Sequence, residues 1–221
     1  MELEIYLIGG GIKVYSLKDG ETLIRAARKC IEQYCANPKA DLTFISNALS
    51  AFDQNSGIFV TLELYPSKEL RGCIGFPRAI EPIKRSVIEA AISAAFEDPR
   101  FGPLSSAELG KLTIEISILS ILFKIEGNPD KRRSEVKIGR DGLMLQYGVY
   151  SGLLLPVVPI EQGWGVDEFL SETCVKAGLP ENYWMQQNVQ LYKFESQVFR
   201  EEEPAGKVVE LDLEAMASRK T

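Results

Sequence analysis

The stretch from Lys111 to Leu122 alternates cleanly. Leu112, Ile114, Ile116 and Ile118 fall on one side, and Thr113, Glu115 and Ser117 on the other. Side chains of a strand point to opposite faces in turn. The pattern therefore predicts a half-buried strand of an antiparallel or mixed sheet, apolar face inward and polar face to water. The strands and helices around it mix without a regular strand–helix–strand rhythm, which points to α+β layers rather than a doubly wound sheet.

Other elements follow from the same periodicities. Residues 3–8 and 12–16, joined by Gly9-Gly10-Gly11, predict a hairpin. Asp19 can cap a helix with its apolar stripe at Leu23, Ile24, Ala27, Cys30, Ile31 and Tyr34, ended by Asn37-Pro38. A short helix is expected within 41–57. Two strands, Ile58 to Tyr65 and Leu70 to Phe76, flank a turn at Pro66-Ser67-Lys68-Glu69. Pro82 opens a helix through Ile83, Val87, Ile88, Ala91, Ile92 and Ala95, stopped by Pro99.

A polar loop from Gly127 to Ser134 marks an internal boundary. Short strands are expected at 136–138, 143–147 and 150–155, with Arg140-Asp141-Gly142 turning the first two. Val166, Phe169, Leu170, Thr173 and Ala177 describe a helix ended by Gly178 and Pro180, and a last strand runs from Val189 to Phe199. The tail after Glu201-Glu202-Glu203-Pro204 reads as loosely held. Residues 1–118, completed by 186–221, predict a larger α+β subdomain, and 119–185 a smaller one.

Composition excludes whole classes of chemistry. The 221 residues contain no histidine, so Ser-His-Asp and Cys-His nucleophile pairs and histidine metal sites are impossible. Cys30, Cys35, Cys73 and Cys174 form no Cys-x-x-Cys pair, which predicts no metal site and the free thiols of a cytoplasmic protein. The opening MELEIYLIGGG carries acids where a signal peptide carries bases, and no apolar run approaches the roughly 18 residues of a membrane span. A net charge of −6 argues against general nucleic-acid binding, and nothing predicts membrane association.

Chemistry concentrates in Leu70-Arg71-Gly72-Cys73-Ile74-Gly75. On a regular strand Arg71, Cys73 and Gly75 share a face, so Arg71 would favour the thiolate of Cys73. Paired glycines mark a bulge or a close approach by backbone or ligand. The alternative is a buried cysteine packed beneath tight glycines. Elsewhere, Arg100 of Asp98-Pro99-Arg100-Phe101 could grip an anion, although a helix-stop turn with a local ion pair also explains it. Lys131-Arg132-Arg133 reads as a solvated loop, and Cys174 as core. Trp164 reads as a core aromatic. Glu161 and Asp167 beside it could serve as an acid–base pair, since carboxylates must do such work where histidine is absent.

The hexapeptide resembles the signature of the AMMECR family. Gly57-Ile58-Phe59-Val60-Thr61-Leu62 before it, Ala94 to Phe101 after it, Leu153-Leu154-Leu155-Pro156, Gly163-Trp164, Phe169-Leu170 and Lys176-Ala177-Gly178-Leu179 resemble further family segments in family order. The resemblance covers about residues 20–200 and is closest to archaeal members. It implies two packed α+β subdomains with the signature near a cleft between them, and no settled activity or cofactor. Association of similar domains with Memo-like and radical S-adenosylmethionine proteins implies those as partners by analogy. Val157 stands where many members carry glutamine, Gly165 where many carry an acid and Gly102 where proline is common. The first two positions are left out of the site for that reason.

Two readings remain. In the first the chain is a binding or adaptor module for a small molecule or protein partner, with Arg71, Gly72, Gly75, Arg100, Glu161 and Trp164 as binding candidates. In the second it is an enzyme with Cys73 as nucleophile or thiolate ligand.

Overall fold

The computed structural model describes residues 15–219, so the hairpin expected over 3–8 and 12–16 lies outside them except for Tyr15 and Ser16. Helix α1 (Leu17–Ala36) starts at Ser16, whose hydroxyl accepts from the Asp19 N–H while the Asp19 carboxylate accepts from the Ser16 N–H. Asp19 is thus the reciprocal partner of the cap, not the cap itself. Leu23, Ile24, Ala27, Cys30 and Ile31 are buried as their spacing requires, and Tyr34 meets the Phe96 ring at 4.8 Å.

Helix α2 (Thr43–Ala48) leads to strands β1 (Gly57–Leu64) and β2 (Glu69–Phe76). Helix α3 (Ile83–Phe96) follows Pro82 and buries Val87, Ala91 and Ala95 against α1, β1 and β2. The remaining elements are β3 (Leu112–Leu119), β4 (Phe123–Ile125), α4 (Pro129–Ser134), β5 (Asp141–Tyr147), β6 (Tyr150–Leu154), α5 (Val157–Gln162), α6 (Val166–Lys176), β7 (Gln190–Glu201), β8 (Val208–Glu210) and α7 (Leu213–Ser218).

The fold is α+β, with helices on a curled antiparallel sheet of order β2-β1-β3-β7-β5-β6, to which β4 and β8 add on β7. Leu112, Ile114, Ile116 and Ile118 join α1 and α3 in one core. Leu143, Leu145, Phe169, Leu170 and Trp184 form another beneath α6, and Leu119, Leu155, Ile160, Phe194 and Val198 fill the junction. The late strand β7 runs through both. Its residues 196–200 pair with β3, whereas 190–195 pair with β5.

The polar face of β3 is not solvated as alternation predicts. Every residue of the strand is buried, with Glu115 3% and Ser117 1% exposed, because the second half of the chain folds across it. Gly127 to Ser134 is not wholly a loop, since Asn128 caps α4 by accepting from the Lys131 N–H. Within that helix Arg132 is buried, not solvated, and its guanidinium donates to the carbonyls of Trp184, Gln186 and Val189.

No strand forms at 136–138, and the left-handed turn residue is Gly139 (φ 86°) rather than Gly142. Gly142 lies inside β5, where a Cβ would sit 2.4 Å from the Phe194 ring. The tail is held through residue 219, because β8 pairs with β7 and α7 packs on α5. Among the described residues no helix is long and apolar enough to cross a membrane.

Candidate functional site

The signature occupies β2, and a bulge decides where its side chains go. Thr61 faces Cys73 and Leu62 faces Gly72, but Glu63 faces Leu70, which leaves Arg71 as an extra residue. Strict alternation would set Arg71 beside Cys73. The bulge turns it away instead, and Leu70 lines a cavity with Cys73. Arg71 Nε donates to Glu108 at 2.6 Å and Nη2 to the Gly102 carbonyl at 3.0 Å. The hydrogen bond from Arg71 is the main reason the Glu108 carboxyl is held down at about 2.

The glycines serve close packing. A Cβ on Gly72 would lie 2.0 Å from the Ala94 carbonyl oxygen of α3, and one on Gly75 would lie 2.2 Å from the Ile58 carbonyl oxygen and 2.6 Å from Phe59 Cα. Backbone cannot yield as a side-chain tip can. Gly72→Ala is therefore expected to lower stability by about 1–3 kcal/mol through overpacking. Urea unfolding checks this, and an unchanged midpoint would show that α3 shifts freely.

Cys73 sits on the outer edge of β2. Its N–H donates to Asp98 Oδ2 at 2.9 Å and its carbonyl accepts from Arg100 Nη2 at 3.3 Å. Arg100 also grips Asp98 with Nε at 3.0 Å and Nη2 at 2.7 Å, so the local ion pair and the strand edge are one structure. That grip is the main cause holding the Asp98 carboxyl at about 2. The Thr61 hydroxyl donates to Cys73 Sγ at 3.2 Å. Burial pushes the Cys73 thiol upward, Glu115 adds to the rise, and the opposing pull of Thr61, Arg100 and Lys176 does not cancel it.

The cavity beside Cys73 has a volume of about 580 Å³, within the range of small-ligand sites. Phe59, Leu70, Leu153, Leu155, Val157 and Val158 supply apolar walls. Its charged wall is a cluster that sequence reasoning missed. Arg200 of β7 lies opposite Glu115 of β3 in the ladder and reaches Glu115 Oε2 at 2.5 Å, Glu161 Oε1 at 3.2 Å and Glu63 Oε1 at 3.7 Å. Burial raises the Glu115 carboxyl to about 7 against the pull of Arg200, and raises Glu63 in the same way. Burial works against the charge of Arg200, but the three carboxylates outweigh it and its pKa rises. The one available signal was Glu115 in the middle of a strand, which the alternation assigned to water.

Of the sequence candidates, Cys73, Arg100 and Glu161 line this cavity together. Arg71, Gly72 and Gly75 lie behind it, in the packing of β2. Trp164 is not among the lining residues. It borders a separate depression with Gly163, Gly165 and Val166. Asp167 pairs with Arg133 at 2.5 Å, so no acid–base pair with Glu161 assembles. Among the described residues no group of histidine, cysteine, aspartate and glutamate side chains is placed to hold a metal ion. Cys30 and Cys174 are buried free thiols, pushed up by burial to about 12 and about 11.

The sequence profile of the AMMECR1 family matches residues 24–199. Protein MJ0810 of Methanocaldococcus jannaschii is 45% identical over 203 residues, covering 91% of this chain and all of the relative. A protein of Thermococcus gammatolerans is 46% identical over 200 residues, covering 88% of this chain and 97% of its own. The crystal structure of uncharacterized protein PH0010 from Pyrococcus horikoshii superposes with a TM-score of 0.83 at 42% identity, covering 91% of this chain and 100% of that one.

Proposed function

The chain belongs to the AMMECR1 family, and from that premise we propose that it is a binding module whose cavity is a cleft between two subdomains. Residues 15–118 build most of one subdomain and 119–185 most of the other, and β7 belongs to both, since Phe199 fills the first apolar core and Leu191 the second. Four free thiols suit a reducing cytoplasm. Cys73, Arg100 and Glu161 line the cleft as contact residues, with Glu63, Glu115 and Arg200 beside them.

The observation that carries this reading is the state of Cys73. Its thiol is raised rather than lowered, because burial outweighs the pull of Thr61, Arg100 and Lys176, and the bulge sends Arg71 away to Glu108. A thiol in that state is a poor nucleophile near neutral pH. The signature then works as a packing device that shapes one wall. Glu115, titrating at about 7, is the observation that favours the enzyme reading, since a general acid or base works best near the operating pH.

Iodoacetamide labelling separates the two readings. Cys73 is expected to alkylate no faster at pH 7 than Cys35, the other half-buried cysteine, and to accelerate only above about pH 9, beyond the ordinary thiol pKa. Faster labelling of Cys73 at pH 7 would restore the nucleophile.

A further inference from the structure

We infer that the cavity takes an extended peptide segment, laid as an added strand along the open edge of β6, with one basic side chain directed toward Glu63 and Glu115. The inference deepens the binding reading above and rests on it.

Five successive residues of the β6 region, Ser151 to Leu155, line the cavity. Side chains of a strand alternate between faces, so a wall made by consecutive residues is a strand seen edge-on. Among the described residues strand β6 pairs only with β5, across a two-residue turn from Tyr147 to Tyr150. Gly148 at its first central position has φ 58°, which suits a type II′ turn. In such a hairpin the residues next to the turn exchange hydrogen bonds, and the ladder then alternates. Ser151 and Leu153 are consequently the positions whose N–H and C=O point away from β5. Among the described residues neither has a backbone partner on that side.

The opposite edge of the sheet is treated differently. At Cys73 of β2 the outward N–H and C=O are already taken by Asp98 and Arg100. An incoming strand thus finds unmet main-chain donors and acceptors on one wall only. Strand addition draws its affinity from such main-chain bonds and its specificity from pockets for alternate side chains. Phe59, Leu70, Val157 and Val158 supply the apolar contacts. Glu63, Glu115 and Glu161 share the single guanidinium of Arg200, with Lys68 also near Glu63, so a basic side chain complements that end at pH 8, the pH of the test, where Glu115 is ionised. Lys176 and Arg100 hold the other end, near Cys73.

The probe is an acetylated, amidated pentapeptide of valine, lysine, valine, threonine and valine, about 17 Å long when extended. Its binding to the full chain is followed by calorimetry at pH 8. Two further peptides complete the set, one N-methylated at alternate backbone amides and one with glutamate for lysine. The parent is expected to bind, and each change to weaken it about tenfold, as the loss of a main-chain bond or of a charge contact implies. Ser151→Pro removes an outward N–H without removing a bond to β5, as an edge strand tolerates, and is expected to weaken the parent by a similar factor. The N-methylated peptide tests the same bond without altering the protein.

Absence of binding by the parent at millimolar concentration, or equal binding by the N-methylated form, overturns the inference. If Cys73 stays slow while the peptides fail, the binding reading stands and the peptide is wrong. Fast Cys73 removes the binding reading whichever peptide binds.

Discussion

Replacing Glu201 by alanine is expected to lower the unfolding free energy by about 3–5 kcal/mol, the range for breaking a buried ion pair on one side. Glu201 is 1% exposed at the end of β7. Its carboxylate takes Arg28 Nε at 3.0 Å, a second and shorter bond from Arg28 Nη2, and the Ile114 N–H at 3.1 Å. Arg28 in turn donates to the Leu112 carbonyl at 2.8 Å, so the pair ties α1 to β3 and β7. Removing the acid leaves a buried guanidinium without its counter-charge and Ile114 without an acceptor. For a chain of this size the midpoint should drop by roughly 10 °C. Adding Arg28→Met to the alanine variant should recover part of the loss, because no charge is then stranded. The Ile114 N–H remains unmet, so recovery stays incomplete. Calorimetry of the two variants decides it, and a drop below 1 °C in the single variant would show that water reaches Arg28.

The second large effect is on pH dependence. Glu115 keeps its proton up to about 7 in the folded chain, against an ordinary 4.5 in the unfolded one. Between those values the folded state binds more protons, so this group's stabilisation is complete below about 4.5 and is lost as pH rises through 7. The difference is on the order of 3 kcal/mol. Glu63, also raised, adds in the same direction. Asp98 and Glu108, both held at about 2, act oppositely, since their stabilisation is present above the ordinary carboxylate range and is lost as pH falls toward 2. The most stable pH should therefore lie near 5. Urea midpoints at pH 5 and 8 should differ clearly in the native chain and much less in Glu115→Gln. An equal difference in both would place the titration elsewhere.

Much of this fold is legible in local sequence because its elements bury one face at a time. The stripe at Leu23, Ile24, Ala27, Cys30 and Ile31 specifies α1, and the alternation from Leu112 to Ile118 specifies β3. Local periodicity fails where contacts come from far along the chain. Glu115 reads as a surface residue until β7 returns with Arg200, 85 positions later. Arg132 reads as part of a charge run until the segment from Trp184 to Val189 wraps its carbonyls around it. The bulge at Arg71 defeats counting by twos, because one extra residue reverses every facing beyond it. Helix α5 has no stripe to read, since Val157-Val158-Pro159-Ile160 is apolar all round and carries a proline.

The sharing of β7 bears on how the molecule can move. Domain closure ordinarily turns on a few loop residues with little bonding of their own. Here the link between the two cores is a continuous 12-residue strand, with one half of its ladder committed to β3 and the other to β5. Changing the distance between the walls means twisting that strand while its hydrogen bonds hold. The space between Cys73 and Leu153 is accordingly set during folding rather than at the moment of encounter. Under the binding reading proposed above, the opening is preorganised, and little ordering entropy is lost by the protein when it is filled.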